Sequence, residues 1–176
     1  MARLFILFIF FADYLIAQKN SLPDQRLLSE YVNLQASQMV IYFKTGDYKS
    51  YVKYIHPSMI NGAGGEKKMI ELLNKQNAEL KLRSVEIRNI IFNSPTEFVR
   101  SKNELQCTIS QQTELKPAQG RVITYTTLIA ISIDNGKNWK FIDTAKMDIE
   151  MVRKLHPNLS SKIVLPPKQK PIVYSM

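Results

Sequence analysis

Apolar residues recur at helical spacing through the first half of the chain and at twofold spacing through the second. After Asp24, a suitable helix cap, Leu27, Leu28, Tyr31, Leu34, Met39, Ile41 and Tyr42 make a broad apolar face, which predicts a helix to about Lys44. Gly46 fits the left-handed residue that ends such a helix, and Asp47 fits the cap of the next. Tyr48, Tyr51, Val52 and Ile55 then fall on one face of two turns, and Pro57 disfavours further helix at His56. Asn61 to Gly65 reads as a flexible turn. Met69, Leu72, Leu73 and Leu80 mark a third helix.

From Leu82 the period becomes twofold. Val85, Ile87 and Ile91 alternate until Asn93-Ser94-Pro95 breaks the run. Val99 to Gln112 reads as a second strand, bulged near Ser101 to Asn103, where the apolar face lapses. Val122 to Ile133 is the longest strand, joined to a fourth, Trp139 to Lys146, through Asp134-Asn135-Gly136. A short helix is expected over Asp148 to Leu155. The prolines at 157, 166, 167 and 171 predict an extended, poorly packed tail over 156–176. The class is α+β, with three N-terminal helices, an antiparallel sheet of about four strands and a single domain over 18–155.

The register of the last hairpin follows from its apolar rows. Ile123, Tyr125, Thr127, Ile129, Ile131 and Ile133 share one face of the long strand, and Trp139, Phe141, Asp143 and Ala145 share one face of the next. A two-residue Asn-Gly turn sets Trp139 opposite Ser132 and mixes the faces. A three-residue loop sets Trp139 opposite Ile131 and Phe141 opposite Ile129, which predicts one apolar wall. Asp143 then lies opposite Thr127 and diagonal to Tyr125, a small polar group at the end of that wall.

The Gly46-Asp47-Tyr48 helix junction, the His56-Pro57 exit and the hairpin from Ile131 to Asp143 come in an order that resembles the nuclear transport factor 2-like superfamily, over roughly residues 25 to 147. Similar segments occur in small exported bacterial members of unassigned function. The resemblance implies a cone, with helices laid across a strongly curved antiparallel sheet around a pocket. Ketosteroid isomerase and polyketide cyclase relatives use a pocket carboxylate with a tyrosine or a second acid as donor. No residue of this chain matches those motifs position by position, so no catalytic assignment carries over.

Residues 1–17 have the layout of a secretory signal peptide: Arg3, an apolar run from Leu4 to Phe11, and Leu15-Ile16-Ala17 before Gln18. Cleavage after Ala17 is expected, giving an exported, soluble periplasmic or extracellular protein. No cysteine follows the cut to carry a lipid, so no membrane anchor is expected. The single Cys107 excludes an intramolecular disulfide and alternates with Leu105 and Ile109, which predicts a buried, inert thiol. The net charge of +9 is spread along the chain without a basic cluster interleaved with aromatics, which argues against nucleic acid as a partner.

The chemistry-bearing residues support two functions. In the first, Tyr125, Thr127, Ile131, Trp139, Phe141 and Asp143 form a pocket or sheet face for a small apolar molecule or a protein partner, with a homodimer through the sheet as one form. In the second, a cofactor-independent isomerase or cyclase uses Asp143 as the proton-transfer carboxylate and Tyr125 as the donor. Asp143 also fits a local strand-end hydrogen bond, and the non-enzymatic reading is preferred. His56 and His156 lack ligand-like neighbours at metal spacing and read as helix-end residues, so neither a metal nor a cofactor is expected. Gly62, Gly64 and Gly65 lack the following Gly-Lys-Ser/Thr of a phosphate loop. The tyrosines at 42, 48, 51 and 54 fit core and rim packing at helical spacing.

Overall fold

The computed structural model describes residues 23–175. The leader reading of residues 1–17 lies outside them. Helix α1 spans Gln25–Thr45, α2 Tyr48–Tyr51, followed by a 3₁₀ turn over Val52–Tyr54, then α3 Pro57–Gly62 and α4 Glu66–Leu82. The strands are β1 Glu86–Phe92, β2 Val99–Ser101, β3 Glu104–Lys116, β4 Arg121–Ser132 and β5 Lys140–Asp143. Helix α5, Ile149–Leu155, and strand β6, Ile172–Tyr174, complete an α+β architecture. All strand pairings among these elements are antiparallel, in the order β1-β3-β4-β5, with β2 also on β3 and β6 also on β4.

Caps explain the helix boundaries. Asp24 accepts from the Arg26 N–H at the start of α1, Gly46 ends that helix with φ of 77°, and Asp47 accepts from Ser50 at the start of α2. The passage after His56 is helical rather than extended. Pro57 occupies the first turn of α3, where its missing N–H costs nothing, and the His56 Nδ1 accepts from the Ser58 N–H. Among the described residues, four helices therefore precede the sheet instead of three. The lapse at Ser101 to Asn103 is not a bulge but a tight reversal, with Lys102 at φ of 52° and Ser101 paired to Glu104.

The buried stripe of α1 is Leu28, Val32, Ala36 and Met39, while Leu27, Tyr31, Leu34 and Ile41 of the expected face are exposed. Val32 and Ala36 lie outside the expected face, are smaller than Leu27, Tyr31, Leu34 and Ile41, and are fully buried. They pack with Leu105, Cys107 and Ile109 of β3, Leu128 and Ala130 of β4, and Phe141 and Trp139. Gln35 fastens the hairpin to this helix: its Oε1 accepts from the Trp139 N–H at 2.8 Å and its Nε2 donates to the Lys137 carbonyl at 2.8 Å.

The opposite sheet face is buried as well. Ile129, Ile131 and Ile142 pack against Met147, Val152, Leu159 and Ile163. The expectation of a poorly packed tail is thus corrected for its first part. Residues 156–165 form a cover that is pinned by polar contacts as well as apolar ones. Gln106 is fully buried, donates to the Glu104 carboxylate and the Asn158 carbonyl, and accepts from the Ser160 N–H. Every polar atom of that amide side chain is engaged, so its burial is compensated.

The hairpin register is also corrected. Phe141 pairs with Ala130, Lys140 with Ile131, Ile142 with Ile129 and Asp143 with Leu128. Asn135 and Gly136 both have positive φ, of 61° and 87°, the pattern of a tight Asn-Gly turn, and the Gly136 N–H donates to the Ser132 Oγ. A three-residue loop is favoured only where a single face is buried. Because both faces are buried, Ile131 and Trp139 are each satisfied on opposite sides, and apolar matching no longer selects the longer loop.

Candidate functional site

This register divides the expected constellation between the two sides of the sheet. Phe141 and Asp143 face the helices; Tyr125 and Thr127 face the C-terminal cover. Trp139 and Ile131 are each 1 % exposed, buried in separate cores, and line neither cavity. Asp143 meets Thr126 and Leu128 rather than Thr127 and Tyr125: the Thr126 hydroxyl and the Ala145 N–H both donate to its Oδ1, at 3.2 and 2.8 Å.

On the helix side, a cavity of about 250 Å³ lies between α1, α2, α4 and the sheet. Most of its wall is apolar: Met39, Val40 and Phe43 of α1, Ile55, Leu73 and Leu80, and Ile87, Ile90, Leu115, Leu128 and Phe141 of the sheet. Its polar groups are Tyr51, Gln76, Gln111, Thr113 and Asp143, and the Gln111 amide is turned onto the Thr113 hydroxyl at 3.1 Å. Tyr51, packed in a tilted pair with Phe43 at 5.4 Å between ring centroids, has its phenol pKa raised, first by burial and then by the Asp143 charge. It is therefore a neutral donor. Tyr51 thus takes the place beside Asp143 that the sequence reading gave to Tyr125. Its position on the short second helix was visible in the sequence, but nothing there placed that helix against the end of β5.

On the cover side, a larger cavity of about 470 Å³ is bounded by Asn93, Ser110, Tyr125, Thr127 and Thr144 on the sheet and by Met147, Ile149 and residues 165–169 above it. Nothing in the spacing of the C-terminal prolines announced this roof.

A third polar cluster joins the cover to α3. The His156 Nε2 is 2.7 Å from the Glu104 Oε2, and the His156 ring meets the His56 ring edge-on at 4.8 Å between centroids. His56 Nδ1 lies 2.8 Å from the Ser58 Oγ. Because that nitrogen also accepts from the Ser58 N–H, His56 is neutral, and burial followed by the neighbouring His156 charge pushes its pKa down to about 4. Burial raises the Glu104 pKa, but hydrogen bonds from Gln106, His156 and Asn158 outweigh it and hold the carboxyl below its ordinary value. Both histidines do stand at helix ends: His56 caps α3 and His156 closes α5. Among the described residues, no three His, Cys, Asp or Glu side chains are grouped to hold a metal ion.

Comparison of the chain with protein-family models, with curated proteins and with solved structures finds no match. Among the described residues, no helix is long and apolar enough to cross a membrane.

Proposed function

We propose that the protein is an exported, non-enzymatic binding domain of the nuclear transport factor 2-like type, which holds a small apolar molecule in the helix-side cavity. The observation that carries this reading is the lining of that cavity: eleven of its sixteen lining residues are apolar, with the polar side chains of Tyr51, Gln76, Gln111, Thr113 and Asp143 among them. Such a wall rewards an apolar ligand by removing its surface from water, while a few polar groups fix its orientation. The order of helices before an antiparallel sheet, with the cavity between them, supports the cone reading. So does the register shift between Ile87 and Asn89, which bends the edge strand. Export rests on the apolar run and small-residue site of residues 1–17, and mass spectrometry of the secreted protein tests it through cleavage after Ala17.

An isomerase-like or cyclase-like enzyme is the second reading, favoured by Tyr51 beside Asp143. The binding reading is preferred because Asp143 Oδ1 is occupied by two local hydrogen bonds at the strand end. Asp143→Asn separates the two. With 2-naphthol as probe, calorimetry is expected to show folding and most of the affinity retained. Turnover of an enolisable ketone by the wild-type protein, lost in Asp143→Asn while folding persists, would establish the enzyme instead.

A further inference from the structure

We propose that the sheet face under the C-terminal segment is a second binding site, for a neutral polyhydroxylated ring such as a sugar. Strand pairing places a row of small polar side chains across the sheet. Ser110 is directly opposite Thr127; the Asn93 N–H donates to the Ser110 carbonyl on one side, and the Thr144 N–H donates to the Thr127 carbonyl on the other. Residues directly opposite in an antiparallel pair share a face, so Asn93, Ser110, Thr127 and Thr144 form one line, with Tyr125 in the next row of the same face. This line is the floor of the cavity of about 470 Å³.

The hydrogen-bond inventory of that floor defines the ligand. The Thr144 hydroxyl is spent on the Thr127 carbonyl at 2.7 Å. Among the described residues, the hydroxyls of Ser110, Tyr125 and Thr127 and the side-chain amide of Asn93 make no hydrogen bond, although Thr127 is 8 % exposed. Hydroxyls and an amide donate and accept without charge, and a partly enclosed polar surface gains from a ligand that reproduces what water gives it. The charged groups at the margin are of opposite sign. Asp148 is committed to the Met151 N–H at the start of α5, and Lys168 is exposed. A ligand of either charge therefore gains from one of them and loses against the other.

The roof has the complementary character. Met147, Ile149, Leu165, Pro166 and Pro167 make most of it apolar, with Lys168 and Gln169 beside them, and the Tyr125 ring adds an aromatic surface to the floor. A sugar ring has hydroxyls around its edge and C–H groups on its faces, so it fits a cavity with one polar and one apolar wall. The roof is tethered by β6 through three residue pairs, Arg121 with Tyr174, Val122 with Val173 and Ile123 with Ile172.

The test uses the full chain and methyl β-D-glucopyranoside and cellobiose as probes, followed by NMR of the backbone amides. The expected result is saturable shifts at Ser110, Tyr125 and Thr127 that persist when 2-naphthol is present. Thr127→Val and, separately, Ser110→Ala should each weaken binding about three- to tenfold, the value of one neutral hydrogen bond. Two variants guard against one that fails to fold, and neither residue lines the helix-side cavity. Four results overturn the proposal: no saturable shift with either sugar, affinity unchanged in both folded variants, shifts confined to the helix-side cavity, or tighter binding of glucose 6-phosphate than of the neutral glucoside.

Discussion

Trp139 and Ile131, neighbours in one hairpin, are buried on opposite faces of the sheet. The turn that produces this offset leaves no room for a side chain at Gly136. That residue has φ of 87°, and a Cβ there would overlap the buried Leu28 side chain. Gly136→Ala is expected to destabilise the fold by about 2–3 kcal/mol, from left-handed strain plus displacement of Leu28. Urea denaturation checks this; an unchanged midpoint would contradict the turn geometry.

Trp139 itself anchors the helix-side core, with its ring nitrogen donating to the Gly136 carbonyl at 3.0 Å and its ring 5.6 Å from Phe98. Trp139→Ala should cost about 3–5 kcal/mol. Since Trp139 lines neither cavity, any loss of 2-naphthol affinity should follow the loss of folded protein and not exceed it.

Cys107 is fully buried, and burial raises its thiol pKa. Native protein should react with a thiol reagent only as fast as it opens, and Cys107→Ser should cost about 1–3 kcal/mol for a hydroxyl without a partner. Rapid labelling of the native state would refute this placement.

These results separate what patterning reveals from what it hides. The start and end of α1, the start of α2 and the end of β1 were legible because each carries its own chemistry, at Asp24, Gly46, Asp47 and Asn93-Ser94-Pro95. The face of Cys107 followed from simple alternation. The hairpin register was not legible, because alternation identifies a buried face only when the other face is wet. That condition failed here because residues 147–165 cover the second face with Met147, Val152, Leu159 and Ile163, whose irregular spacing matches neither a helix nor a strand. The candidate site inherited this error: Asp143 and Tyr125 were joined by a register that the protein does not use, and Tyr51 was read as packing alone.

The histidine cluster predicts acid sensitivity. The folded His56 pKa of about 4 lies below its ordinary 6.5, so the unfolded chain takes up its proton first as pH falls. Stability is therefore complete above about pH 6.5 and is lost towards pH 4, by about 1–2 kcal/mol once partial solvent screening is allowed for. His156, Glu104 and Lys140 are the titratable neighbours that act on His56. Glu104, also lowered, adds a loss of the same sign as pH falls through its folded pKa. Thermal unfolding across this range should show a falling Tm, and His56→Gln should flatten the upper part of the curve.

The roof of the cover-side cavity should depend on close approach at Gly120. A Cβ there would overlap the Tyr174 carbonyl oxygen, and the Arg121 guanidinium lies 4.4 Å from the centre of the Tyr174 ring. Gly120→Ala should release β6 while leaving the two cores intact. Hydrogen exchange is expected to lose protection among residues 172–174 with little change in Tm; protection equal to wild type would show that β6 is held by something else.

The central claim is that the helix-side cavity holds a small apolar molecule, and the most direct measurement is methyl NMR of the full chain during titration with 2-naphthol. The account predicts saturable shifts at the methyls of Met39, Leu73 and Leu128, which line that cavity, and loss of those shifts in a folded Leu128→Trp variant that fills it. Unchanged cavity methyls at saturating probe, or shifts that survive in Leu128→Trp, would contradict it.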